Sequence, residues 1–333
     1  MLQYIARRLM LVVVLLWIVS MVTFGIFFLI PKATHTSTAA LFAGKAPTSD
    51  TIKEIEIKFG LNDPIPVQYW HFVEGVFVGR DFDAGPSKDH CPAPCLGFSF
   101  VNNVPVWQEI TSDLPVTISM AIGAAILWLV VGTAIGVLSA LRRRSFFDRA
   151  AMGVALAGVS LPIYFTGLVL LSLISYKWQL LPNVHYVGIT SNPISWARNL
   201  MLPWICLAFL YAALYARLTR AGMLETMGED YIRTARAKGL TEQRVIARHA
   251  LRAALTPIVT IFGLDLGQLL GGAILTEYTF GFVGIGKLSV DAIFRQDLPV
   301  IMGVTLFAAF FIVMANLIVD VLYAFVDPRV RYS

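Results

Sequence analysis

The chain has 333 residues, of which 57% are apolar and only 14% charged, with a formal net charge of +5. Soluble domains carry about 25% charged residues, so this composition argues against soluble, disordered and nucleic-acid-binding classes. Three cysteines in this length exclude a disulfide scaffold, and the class that remains is integral membrane.

A helix needs about 20 apolar residues to cross a bilayer, and six stretches qualify in chain order: 9–30, 114–141, 150–176, 199–216, 253–276 and 298–319. The first is longer than a signal-peptide core and lacks a small-x-small cleavage site, so it reads as a retained anchor. A long loop, 31–113, follows it and reads as folded. Asp50 is expected to cap a helix over 51–59, with Ile52, Ile55 and Phe59 on one face and Gly60 as its stop. Pro64 and Pro66 predict an extended turn. Tyr69, Trp70, Phe72, Val73, Val76 and Phe77 predict a second helix at the outer interface, most simply packed against the spans. Cys91 and Cys95 lie in the same loop. An oxidising exterior favours a disulfide between them, with free thiols, or a metal site using His71 and His90, as the alternatives. Two regions result: 1–113, an N-terminal helix with an external loop domain, and 114–333, a five-helix core. Cys206, within a span, reads as a packing residue.

Six spans place both termini on one side. With the termini inside, the four inner segments, including the 142–149 turn and the 217–254 loop, hold 16 of the 26 basic residues. Their net charge is +10, against −3 outside. This satisfies the positive-inside rule and predicts cytoplasmic termini.

Gly281-Phe-Val-Gly-Ile-Gly286-Lys287-Leu288 approaches a phosphate loop, but Leu288 lacks the hydroxyl that holds Mg²⁺ and no buried strand precedes it. It reads as a glycine-rich turn. The five histidines form no HExxH, and no GxSxG occurs. No catalytic residue and no metal site are assigned, and the chain is read as a non-enzyme. In the fifth span, Gly263, Gly267 and Gly271 recur every four residues and share a face that suits close helix packing. Asp265 and Gln268 lie near the middle of that span. A carboxylate at the bilayer centre costs about 2.5–3.5 kcal/mol. Asp265, Gln268, Gly272 and Glu277 are therefore candidates for lining a solute pathway, the alternative for Asp265 being a structural hydrogen bond between helices.

The 217–254 inner loop carries the sharpest signal. Glu229 to Pro257 reads as two short helices, the first ended by Gly239 and the second capped by Thr241. Topology alone explains the positive charge, whereas a docking surface for a cytoplasmic partner also explains the compact helix-glycine-helix design.

Asp230-Tyr-Ile-Arg-Thr-Ala-Arg-Ala-Lys-Gly-Leu240, followed by Arg248-His249-Ala-Leu-Arg252, resembles the coupling loop of ABC importer permeases. More narrowly, the chain resembles the B-type permease subunit of the dipeptide and oligopeptide importer family. Tyr4-Ile-Ala-Arg-Arg-Leu, Gly60-Leu-Asn-Asp-Pro-Ile-Pro-Val-Gln-Tyr69, Leu114-Pro-Val-Thr-Ile-Ser and Gly271-Gly-Ala-Ile-Leu-Thr-Glu277-Tyr-Thr-Phe280 agree. So do Arg295-Gln-Asp297-Leu-Pro299, Asp320-Val-Leu-Tyr323 and Asp327-Pro-Arg329. The sequence departs from the family at Arg233-Thr234-Ala235, where the general loop has Glu-Ala-Ala. It departs again at the later Pro257, at Gly79-Arg80-Asp81-Phe82, and in an insertion around 83–103.

The resemblance implies an all-α, six-helix, type I permease fold in a bacterial or archaeal cell membrane. It implies a homologous second permease, two cytoplasmic ATPases that hold the ATP and Mg²⁺, an extracytoplasmic peptide-binding protein, and no cofactor in this chain. ATPase docking would fall on the loop centred on Ala237, Lys238 and Gly239. There Arg233, Arg236 and Lys238 would supply charged contacts and Tyr231 and Leu240 apolar anchors, with Asp230, Ala235, Arg244 and His249 completing the surface. The rival readings are a self-contained secondary transporter using Asp265 for ion coupling, an importer of a non-peptide solute such as nickel, haem or glutathione, and a membrane enzyme or scaffold.

Overall fold

Helices dominate the computed structural model of the chain, which describes residues 2–33, 37–42, 48–84, 87–99, 101–181 and 185–326. In a hydrocarbon solvent a helix satisfies its own backbone, so long apolar runs have few other options. The N-terminal region comprises α1 (Leu2–Phe24), α2 (Ile30–Ala33), α3 (Thr38–Phe42), α4 (Ser49–Phe59), α5 (Ile65–Val78) and two hairpins. The hairpins pair β1 (Arg80–Ala84) with β2 (Ser87–Cys91), and β3 (Phe98–Ser99) with β4 (Val104–Pro105), both antiparallel. Then come α6 (Val106–Leu141), α7 (Phe146–Ser160), α8 (Ile163–Leu170), α9 (Pro193–Gly228), α10 (Asp230–Ala237), α11 (Glu242–Arg244) and α12 (Leu251–Leu270). The chain ends with α13 (Ile274–Phe280), α14 (Ile285–Arg295) and α15 (Leu298–Val326). π-helical turns at Gly25–Leu29, Leu171–Lys177 and Val245–Ala250 continue α1, α8 and α11.

Among the described residues five helices are long and apolar enough to span a bilayer, and six if the bent pair of α7 and α8 is one span. The straight third span expected over 150–176 is corrected: the two helices meet at 106°. Pro162 is the cause. It drives Leu161 into extended backbone (φ −85°, ψ 131°), and the helix stops. The fifth span is also shorter than expected. It ends at Leu270, and Gly272 (φ +128°) turns the chain, so Thr276 and Glu277 belong to the separate α13. The fourth is longer: α9 runs on to Gly228, well beyond the apolar stretch.

The chain divides into two compact units. The first holds residues 1–117, 267–274 and 283–333. Here α1 packs on α15, and a file of rings passes from α1 through the helices that follow it into the hairpins. Phe24 stacks on Phe28 at 4.0 Å, and the contacts continue through Phe42, Phe59, Phe82 and Phe98 at 5.0–5.9 Å. The expected cap of α4 is corrected: Thr48, not Asp50, accepts the Thr51 N–H (3.3 Å), while Gly60 takes the left-handed C-cap (φ +62°). Pro66 lies inside the first turn of α5, where its missing N–H costs nothing, so no extended turn separates the two helices beyond Pro64. A disulfide joins Cys91 and Cys95, and the Cys95 N–H donates to the Gly75 carbonyl at the end of α5 (3.1 Å). Gly267 and Gly271 face Ala315 and Ala308 of α15 across a contact that leaves no room for a Cβ.

The second unit holds residues 118–266 and 275–282. Its axis is α9. Gly132 and Gly136 of α6 let the two backbones meet, because a Cβ there would lie 2.9 and 2.7 Å from the Ala212 and Ala216 carbonyl oxygens. Trp128 and Tyr215 are fully buried between α6 and α9. The Asp327-Pro-Arg329 motif and residues 85, 86 and 100 of the 83–103 insertion lie outside the described residues.

Candidate functional site

One end of the second unit is a compact turn built on a small apolar core. Ile232 and Ala235 of α10 are buried with Ala140 of α6, Met223 of α9, Val245, Ala250 and Ala254. The whole of α10 is thus fastened to three of the long helices. At Glu229 the backbone leaves the helical region (ψ 148°), which separates α9 from α10. Gly239 (φ +77°) reverses the chain, and the Leu240 N–H returns to the Ala235 carbonyl (3.3 Å). Across this turn Arg236 holds Glu242 through two hydrogen bonds, Nε–Oε2 at 3.1 Å and Nη2–Oε1 at 2.6 Å. That carboxylate raises the Arg236 pKa above its ordinary value. Arg233 pairs more loosely with Asp230 (3.2 Å).

The structure sorts the expected docking residues into two groups. Asp230, Tyr231, Arg233, Arg236, Ala237, Lys238, Gly239 and Arg244 are exposed. Ala235 is buried and holds the turn, and Leu240 is half-buried with one side against the chain's own core. His249 is half-buried. A Cβ on Gly239 would meet no atom of this chain within 4 Å, so the space beside the turn is open.

A second cluster at this end escaped the sequence reading. Asp148, buried at the start of α7, accepts Arg220 Nε (2.6 Å) and Nη2 (2.9 Å), the Arg144 N–H (2.9 Å) and the Ser139 hydroxyl. Ser145 caps the same helix by accepting the Asp148 N–H (3.1 Å). The carboxylate thereby ties the ends of α6 and α7 to α9, one helix upstream of α10. The Ser145-Phe-Phe-Asp148 spacing was a legible cap signal, whereas the Arg220 partner, 72 residues away, was not.

Of the expected pathway residues, Asp265 is half-buried and accepts the Tyr215 hydroxyl (2.8 Å). Gln268 is exposed. Gly272 and Glu277 take packing positions instead. A Cβ on Gly272 would lie 2.8 Å from the Gly286 backbone, and Glu277 is fully buried. Of the proposed helix-packing glycines, Gly263 is half-buried in the second unit, whereas Gly267 and Gly271 make the α15 contact described above. Among the described residues no group of His, Cys, Asp and Glu is placed to hold a metal ion.

Comparison with known proteins agrees with this architecture. The family described as binding-protein-dependent transport system inner membrane component matches residues 132–332, and its N-terminal companion matches residues 1–121. The dipeptide transport system permease protein DppB of Escherichia coli (strain K12) is 38% identical over 357 aligned residues that cover 100% of both chains. A putative peptide transport system permease protein of Brucella abortus (strain 2308) is 39% identical, covering 92% of this chain and 93% of its own. The fold is similar to an inward-facing structure of the MetNI methionine ABC transporter, with a TM-score of 0.54 at 16% identity, covering 66% of this chain and 97% of that one. The chain belongs to the inner-membrane permease family of binding-protein-dependent transport systems.

Proposed function

We propose that this chain is one of two permease subunits of a peptide importer, and that α10 with the Gly239 turn is where a cytoplasmic ATPase seats. Peptide as cargo is supported by relatives, named as dipeptide and peptide transport permeases, that match over 92–100% of this chain. The observation that carries the docking reading is the construction of α10. Its buried face is fixed to α6, α9 and α12, while its outer face and the Gly239 turn are exposed. A lever needs this combination, because a push on the outer face then moves the long helices as a body. Lys238 and Arg244 add positive charge to this exposed surface beside the Arg233–Asp230 and Arg236–Glu242 pairs, and Tyr231 adds an aromatic contact. The termini and α10 lie on the cytoplasmic side in this reading, supported by the concentration of basic residues there. A binding protein delivers peptide from outside. ATP must bind the ATPase pair differently in the two states for the cycle to run.

The test is to replace Gly239 with Trp. The added ring meets open space in this chain, but the left-handed backbone at φ +77° strains any side chain there, so a second variant must separate a lost contact from a disturbed turn. ATPase co-purification is expected to fall about tenfold or more, with the permease itself still recovered from the membrane. A second variant, Lys238→Glu, reverses charge without backbone strain and is expected to weaken co-purification in the same direction. Full retention of the ATPase by both variants sinks the docking assignment.

A further inference from the structure

Asp265 carries a charge inside an otherwise apolar span, and its surroundings are not those of a structural ion pair. Among the described residues its one partner is the Tyr215 hydroxyl, and neither Lys nor Arg reaches it. An ionised carboxylate has about four acceptor positions, so most of its capacity is unused. The rest of the site is aromatic. Trp128 stacks on Tyr211 with centroids 4.6 Å apart, and its ring lies 6.2 Å from Tyr215 and 6.0 Å from Phe262. Tyr211 is within electrostatic range of the carboxylate. Trp128 and Tyr215 are fully buried and immobilised, while Asp265 and Tyr211 are half-exposed. Asp265, Tyr211 and Phe262 are therefore the accessible groups, with the buried Trp128 and Tyr215 packed behind them.

That chemistry selects its ligand. Ring faces and a carboxylate both attract cations and repel anions. A metal ion would need more ligands than one carboxylate supplies, and none are grouped here among the described residues. A primary ammonium fits: it is compact, carries three donors, and can give one to Asp265 while its flank rests on a ring. Resting on the reading of this chain as a peptide-importer permease, we propose that Asp265 and Tyr211, backed by the buried Tyr215 and Trp128, receive the free α-ammonium of the peptide during passage. Tyr215 is a positioning residue in this scheme, because its hydroxyl fixes one carboxylate oxygen and leaves the other to the substrate.

The experiment uses the complete transporter in proteoliposomes, with its binding protein saturated by trialanine, and reads uptake per assembled complex. Asp265→Asn is expected to lower uptake about tenfold, since a hydrogen bond to a charged group is lost, and Tyr215→Phe about threefold. The ratio of wild-type to Asp265→Asn rates is then followed across pH with the same binding protein, so that protein's own pH dependence cancels. The ratio is expected to fall toward one as pH rises through about 8, where an α-amino group loses its proton. A ratio of one at every pH, with normal wild-type uptake, overturns the site and leaves the peptide-importer reading standing. A ratio that does not change with pH overturns the ammonium assignment. Loss of the second permease from the purified Asp265→Asn complex also overturns it, in favour of an ion pair between subunits. Failure of the wild type to move trialanine or any other peptide overturns the underlying reading instead.

Discussion

Asp148 and Asp265 belong to the same compact unit, and each lies against α9, yet their surroundings are opposites. Asp148 is buried at the α10 end and receives four donors: two from Arg220, one from the Arg144 backbone and one from Ser139. Asp265 is half-exposed in the apolar middle of the unit and receives one, from Tyr215. A structural carboxylate collects partners until its acceptors are used, because an unsatisfied buried charge is costly. Asp148 follows that rule and Asp265 does not. The difference separates a carboxylate that holds helices from one that is open to a ligand. It also places the carboxylate with four donors one helix before α10, and the carboxylate with one donor away from it.

The comparison can be broken most forcefully at Asp148. Replacing it with Ala leaves Arg220 without its partner and strips the Ser139 and Arg144 donors of their acceptor. Recovery of monodisperse protein after mild heating, followed by size-exclusion chromatography, is expected to drop several-fold. The double variant Asp148→Leu with Arg220→Leu is expected to regain much of the loss, because two apolar groups leave no uncompensated charge. Equal losses in single and double variants would show that the two residues do not act as a pair. A smaller effect is expected for Ser139→Ala, which removes one donor of four and keeps the guanidinium. A loss as large as that of Asp148→Ala would mean that Ser139, rather than Arg220, fixes the carboxylate.

These contrasts bear on what could be read from the chain alone. Six apolar stretches are visible because hydrocarbon burial is a composition effect, and Gly239 is visible because a left-handed C-cap selects glycine. The exposure of Arg233, Arg236 and Lys238 follows from the polar face of a short helix. What sequence could not give were pairings set by tertiary packing. Asp148 with Arg220 and Asp265 with Tyr215 are separated by 72 and 50 residues, and nothing local marks them as partners. Leu240 shows the same limit: an apolar residue beside a glycine turn can face a partner or its own core, and the structure leaves it half-buried against that core. The kink in the third span was legible in principle, since Pro162 constrains Leu161, but a hydropathy count ignores backbone direction.

Asp297 offers the mildest test, because it lies between the two extremes. It sits in the joint of Arg295-Gln296-Asp297, where Gln296 turns left-handed (φ +60°) to end α14 and Asp297 begins α15. Its carboxylate accepts the Ser99 hydroxyl and, at 3.5 Å, the Val300 N–H. Burial dominates and pushes its pKa above the ordinary carboxylate range, with the Ser99 and Val300 hydrogen bonds opposing. The sign follows from linkage. A pKa raised on folding means that the folded chain binds this proton more tightly than the unfolded chain. The associated stability is complete below about pH 3.9, the unfolded value, and is lost as pH rises through the folded value. Asp297→Asn stays neutral throughout. The melting temperature of the wild type, measured relative to that variant in detergent, is therefore expected to be highest near pH 4 and to decline by a few degrees toward pH 7. A difference that grows with pH would place Asp297 with Asp148, as a carboxylate whose charged form is the one its partners hold. A flat difference would mean that Ser99 and the start of α15 offset its burial completely, and that two donors already suffice where Asp265 has one.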